Sequence, residues 1–111
     1  MIKNYESLNQ LVLGTSQIGS RYGVTNKNLI NEQIASKIIN FCKENNIKEI
    51  DTAINYYNSE KILGKIGISE FTISTKLPKQ KDDIEDIEGG INNQITDSLN
   101  RLNLTSINTL Y

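Results

Sequence analysis

The chain has 111 residues with 12 basic and 13 acidic side chains, for a formal net charge of -1, and 37% of it is hydrophobic. That length fits one small domain or part of a larger one, and the balanced charge offers no basic surface for nucleic acid and no basic amphipathic stretch for a membrane. The expected partners are therefore small molecules or other proteins. Histidine is absent, which removes the commonest acid-base group and metal ligand, and the single cysteine, Cys42, excludes an internal disulfide and fits a reducing compartment.

The first ten residues, MIKNYESLNQ, lack the apolar core of a signal peptide, and no later run approaches the roughly 18 apolar residues of a membrane-spanning helix. A cytoplasmic location is the expectation. Leu11 to Leu13 is a short apolar run closed by Gly14, long enough for a buried strand. The following GTSQIGSRYGVTNK, Gly14 to Lys27, holds three glycines and reads as a loop with room for close backbone approach. It is not a phosphate-binding P-loop: Gly14 and Gly19 have the right separation, but Ser20 and Arg21 stand where Lys and Ser/Thr are needed. A ligand loop and a plain connector fit its spacing equally.

Between Asn31 and Asn45, Ile34, Ala35, Ile38, Ile39, Phe41 and Cys42 recur at helical spacing, and Asn31 is placed to cap the start. Cys42 lies on the apolar stripe, where a lone thiol is a packing residue. Asn45 and Asn46 suit the left-handed turn that ends a helix, and Ile47 to Ile50 reads as a second strand. A second helix is predicted over Ser59 to Ile66, with Ile62, Leu63 and Ile66 on one face. The alternation of Phe71, Ile73 and Thr75 with Thr72 and Ser74 predicts a third strand over 71–76, stopped by Pro78. The acidic run Asp82, Asp83, Glu85, Asp86, Glu88 reads as a solvated loop and not as a metal site, because isoleucines interrupt it and lysines flank it. Ile91, Ile95, Leu99 and Leu102 predict a third helix from about Gly90 to Leu102, and Ile107 to Tyr111 the start of a fourth strand. Strands alternating with helices imply an α/β fold with a parallel sheet and right-handed crossovers. The carboxyl ends of adjacent parallel strands then lie side by side, bringing Gly14, Asp51, Lys76 and the region of Tyr111 to one rim.

The chemistry concentrates in IDTAINYYNSEKILGKIG, Ile50 to Gly67, where a strand ending in Asp51 runs through a loop with Tyr56 and Tyr57 into a helix opened by Ser59 and Glu60. A capped turn with a solvated acid fits this stretch by itself as well as a site does. Asp51, Tyr56 and Lys76 gain meaning together. A phenol, with a reference pKa of about 10, is a poor proton donor near neutrality until its anion is stabilised. An ammonium about 4 Å away supplies roughly 4 kcal/mol at an effective dielectric near 20. Asp51 would hold that lysine in place and keep it charged. Tyr57, Tyr22 and Tyr111 are read as packing residues.

On DTAINYYNSEKILG, ISTKLP, LVLGTSQIGSRYGVTNK and SLNRLNLTSINTLY, the chain resembles the N-terminal portion of an aldo-keto reductase from Leu11 to Tyr111. The resemblance implies about the first three βα units and the fourth strand of a (β/α)8 TIM barrel. It puts the family's catalytic aspartate, tyrosine and lysine on Asp51, Tyr56 and Lys76, and implies NADPH as cofactor and a small-molecule carbonyl as substrate. Gly14 and Thr15 would lie near the nicotinamide and its ribose, with Asp51 touching that end too. No metal is implied. The family's histidine follows shortly after the position of Tyr111, and its phosphate- and adenine-binding groups come from the last strands of a barrel of roughly 250 residues. The resemblance thus implies a partial enzyme, weak or inactive alone. The competing reading is a half-barrel kept as an interaction unit. Open strand edges invite self-association in either case. Asn108 stands where many relatives carry aspartate, a departure expected to alter a local hydrogen bond and no catalytic step.

Overall fold

The computed structural model describes residues 5–20, 29–83 and 85–111. After a 3-10 turn over Tyr5–Gln10, the elements are β1 (Val12–Gly14), α1 (Glu32–Glu44), β2 (Glu49–Asp51), α2 (Ser59–Ile66), β3 (Thr72–Thr75), α3 (Ile87–Leu102) and β4 (Thr109–Leu110). The strands form one parallel sheet in the order β1-β2-β3-β4, so the α/β architecture expected from the alternation is the one observed. Tyr22 and residues 21–28 of the glycine-containing loop lie outside the described residues; at the loop's described ends a single bridge joins Ile18 and Ile30.

Register explains why the sheet has two unlike faces. Leu13, Ile50 and Ile73 are aligned across β1, β2 and β3 and point to the same side. Ile50 and Ile73 are buried there with Ile39, Leu63, Ile68 and Leu102. The alternate positions Val12, Gly14, Glu49, Asp51, Thr72 and Ser74 face the other way and are exposed or half-buried, so the helices among the described residues cover one face only.

Asn31 caps α1, its side-chain oxygen accepting the Ile34 amide at 3.0 Å. Ala35, Ile39 and Cys42 form its buried stripe, whereas Ile34 and Phe41 stay outside, so only part of the apolar pattern is used for this core. Asn46 takes the left-handed conformation that ends the helix, with φ 59°. Gly64 is where α2 and α3 meet: a side chain there would run into the Arg101 carbonyl.

α3 starts at Ile87, three residues before the predicted Gly90, because Asp86 caps it through the Gly89 amide at 2.9 Å. One member of the acidic run thus has a structural duty. Strand limits also differ from those expected: β1 and β2 are shifted toward their carboxyl ends, and Gly14 and Asp51 are themselves paired residues. At β4, the Asn108 side-chain oxygen accepts the Ile73 amide at 2.8 Å, a bond an aspartate could make equally. No helix among the described residues is long and apolar enough to cross a membrane.

Candidate active site

The pairing of β2 with β3 continues beyond the strands and sets the site's geometry. Thr52 donates its amide to the Ser74 carbonyl at 2.8 Å and Ile54 to the Lys76 carbonyl at 3.2 Å. Asp51 pairs in register with Ser74, and Lys76 lies two residues further on, so strand periodicity sends both side chains to the uncovered face at the carboxyl rim. There the Lys76 ammonium donates to both Asp51 carboxylate oxygens at 2.7 Å and to the Thr52 carbonyl at 3.0 Å. Both side chains keep about a third of their surface open, 34% for Asp51 and 35% for Lys76, so the pair can be reached from outside.

Tyr56 arrives from the loop between β2 and α2. Its amide donates to the Ala53 carbonyl at 3.1 Å and its carbonyl accepts from Ser59 at 2.8 Å, which ties the loop into a tight turn leading to α2. Tyr57, with φ 45°, bends the chain there and leaves its own ring exposed. The Tyr56 ring is brought under the lysine, with Nζ 5.4 Å from the ring centroid, within cation-π range. The structure therefore gathers Asp51, Tyr56 and Lys76 at one place on three segments.

Gly14 ends β1 opposite Asp51, and a Cβ built on it would meet nothing within 4 Å, so the rim is open at this point. Thr15 differs. Only 1% of it is exposed, and its amide and hydroxyl both donate to the Asp51 carbonyl, at 3.1 and 3.0 Å. Its hydroxyl is turned into the protein, beneath the rim.

Glu60 was read from the sequence only as opening the second helix, yet it organises the wall behind the site. It is 2% exposed; one carboxylate oxygen accepts from Thr75 at 3.0 Å and Ser98 at 2.6 Å, the other from Arg101 Nε at 2.8 Å. Arg101 Nη2 is also 2.8 Å from that second oxygen, near enough for ion pairing although its hydrogens are not aligned on it. A buried carboxylate is tolerated only with such a set of donors. β3, α2 and α3 are thereby fastened together. The spacing of Glu60 and Arg101 in sequence, 41 residues, gave no local signal for this. Cys42, buried on α1, has its thiol pushed above the ordinary range by loss of solvent, as suits a packing residue.

The aldo/keto reductase family model matches residues 10–111. The chain belongs to the aldo/keto reductase family. Two solved structures from Pseudomonas aeruginosa, each described as a candidate aldo-keto reductase, resemble this family member over 89% of its length. One has a TM-score of 0.71 at 26% identity and the other 0.65 at 23%. This aldo-keto reductase chain spans 40% and 38% of the length of those two proteins. The four strands and three α-helices among the described residues thus match part of an aldo-keto reductase barrel. None of the curated proteins compared with it matches.

Proposed function

We propose that this chain supplies the proton-donating part of an NADPH-dependent aldo-keto reductase that converts a carbonyl compound to an alcohol. The observation that carries the reading is the Lys76 ammonium, clamped on both Asp51 oxygens at 2.7 Å while standing 5.4 Å from the Tyr56 ring centroid. In this reading Tyr56 gives its hydroxyl proton to the substrate oxygen. Lys76 places a positive charge beside the ring that is left negative, and Asp51 holds Lys76 there. The carbonyl carbon takes a hydride, the alcohol leaves, and Tyr56 regains a proton from solvent.

The reduced nicotinamide would supply that hydride. The open rim at Gly14 and the exposed side of the Asp51 carboxylate fit a flat ring at this end of the cofactor. In this reading the phosphate-holding groups and the substrate pocket come from further staves of the barrel, which accords with the chain spanning 40% of the length of one of the solved structures it resembles. Remote binding energy of that kind is what holds a reacting ring in position.

The test is to join the chain to the remaining staves and follow NADPH oxidation with a simple aldehyde. Tyr56→Phe lowers turnover by about a hundredfold or more, the usual scale for losing a positioned proton donor. Equal turnover without that hydroxyl would overturn the assignment. A second reading, a non-catalytic half-barrel that associates through its ends, draws support from the exposed apolar residues Leu11 and Val12 at β1 and Leu110 and Tyr111 at β4. An inactive completed barrel that nevertheless forms a stable complex would favour it.

A further inference from the structure

The hydrogen bonds beneath the rim close into a ring. Lys76 Nζ donates to the Thr52 carbonyl at 3.0 Å, and the Thr52 hydroxyl lies 3.4 Å from the Ser59 hydroxyl. Ser59 Oγ donates to the Thr15 carbonyl at 3.1 Å, and Thr15 Oγ1 donates to the Asp51 carbonyl at 3.0 Å. The Asp51 carboxylate returns to Lys76 at 2.7 Å through both oxygens. Thr15, Thr52 and Ser59 are almost wholly buried, at 1%, 0% and 0% exposure. Water therefore has little access to these three residues, and their hydroxyls have few alternative orientations.

From this ring we infer that Thr15 is a positioning residue: its hydroxyl fixes the Asp51 carbonyl, and with it the carboxylate that seats Lys76. The inference rests on the reading of Lys76 as the group that acts on Tyr56, and it gives Thr15 a duty other than touching the nicotinamide end of a cofactor. Four segments contribute. Thr15 follows β1, Asp51 ends β2 with Thr52 just after it, Ser59 opens α2 and Lys76 follows β3, so the ring ties the first strand to the site although β1 holds neither the lysine nor the tyrosine. The backbone amide of Thr15 also donates to the Asp51 carbonyl, at 3.1 Å, and would remain after substitution. The hydroxyl's own effect can therefore be isolated by Thr15→Val, which preserves shape, with Thr15→Ser as the rescue.

The measurement is competitive acetylation of the lysines of the 111-residue chain, read by peptide mass spectrometry, with exposed Lys79 as internal standard. It requires neither cofactor nor turnover. In the parent chain Lys76 acetylates more slowly than Lys79, because its amine must first leave three acceptors. Thr15→Val raises the Lys76 to Lys79 ratio about threefold to tenfold, the scale of one hydrogen bond. Thr15→Ser returns it to the parent value. Ser98→Ala serves as control: it cuts a bond to Glu60 and lowers stability, yet leaves the ratio unchanged. Ser59→Ala opens the same ring at another point and raises the ratio, which keeps the test alive if Thr15→Val does not fold. An unchanged ratio in a folded Thr15→Val or Ser59→Ala chain overturns the inference. So does an equal rise in Ser98→Ala, which would reduce the effect to general loosening. Failure of the proton-donor reading appears elsewhere, as full turnover by a completed Tyr56→Phe barrel, so the two failures are separate observations.

Discussion

Replacing Glu60 by alanine removes an acceptor on which three side chains converge. Thr75 and Ser98 lose their partner at 3.0 and 2.6 Å, both inside the core, and Arg101 loses its counter-ion at 2.8 Å. Breaking a buried charge pair from one side costs about 3–5 kcal/mol, because the remaining group stays desolvated without compensation. Arg101 keeps 36% of its side-chain surface, so water can take up part of the guanidinium, which puts the expected loss at the lower end, about 3 kcal/mol. Urea unfolding followed by circular dichroism reads this directly. With a slope of about 1.5 kcal/mol per molar, a loss of ~3 kcal/mol lowers the midpoint by about 2 M. Pairing the substitution with Arg101→Met isolates the ion pair: the double variant loses less than the sum of the singles, since no charge is then stranded. A midpoint within a few tenths molar of the parent would refute the account of Glu60 as the fastening of β3, α2 and α3.

Gly64→Ala is expected to cost about 1–3 kcal/mol by driving α2 away from the Arg101 carbonyl, measured in the same unfolding assay. For Cys42, burial raises the thiol's folded value above its unfolded one, so its contribution to stability is complete below the ordinary thiol range and is lost as pH climbs through the raised value. Unfolding midpoints across alkaline pH should show this fall, and Cys42→Ala should flatten it. These expectations stand beside the loss of turnover in Tyr56→Phe and the change in Lys76 labelling in Thr15→Val.

Elements whose signals are local were legible in the sequence. Asn31 before an apolar stripe marked the start of α1, and Ser59 to Ile66 is the second helix at the limits expected from its spacing. The start of α3 was less legible, since an acidic run followed by Gly89 and Gly90 looks like a loop until Asp86 is seen capping it. The meeting of Asp51 and Lys76 followed from parallel strands presenting their carboxyl ends together, whereas Tyr56 joined them on its chemistry and the family resemblance; the structure brings all three together. What the sequence hid were partnerships between distant residues. Nothing local distinguishes Glu60 from a surface helix acid, and nothing in the sequence around Thr15, placed near the nicotinamide by resemblance, showed that its hydroxyl donates to the Asp51 carbonyl of the neighbouring strand. Ile34 and Phe41 carried the same helical pattern as Ile39 and Cys42, but pattern alone does not say which apolar positions this core takes up.

The side of the sheet left open by the helices among the described residues also restricts what can be laid over it. Glu49 and Thr72 stand on that side, in register with each other and one pleat below Asp51 and Ser74. A purely greasy lid would strip water from the Glu49 carboxylate and offer nothing in return, at a cost of several kcal/mol. Whatever segment packs over this face therefore has to bring an arginine, a lysine or a cluster of amide donors to Glu49, or leave water standing there.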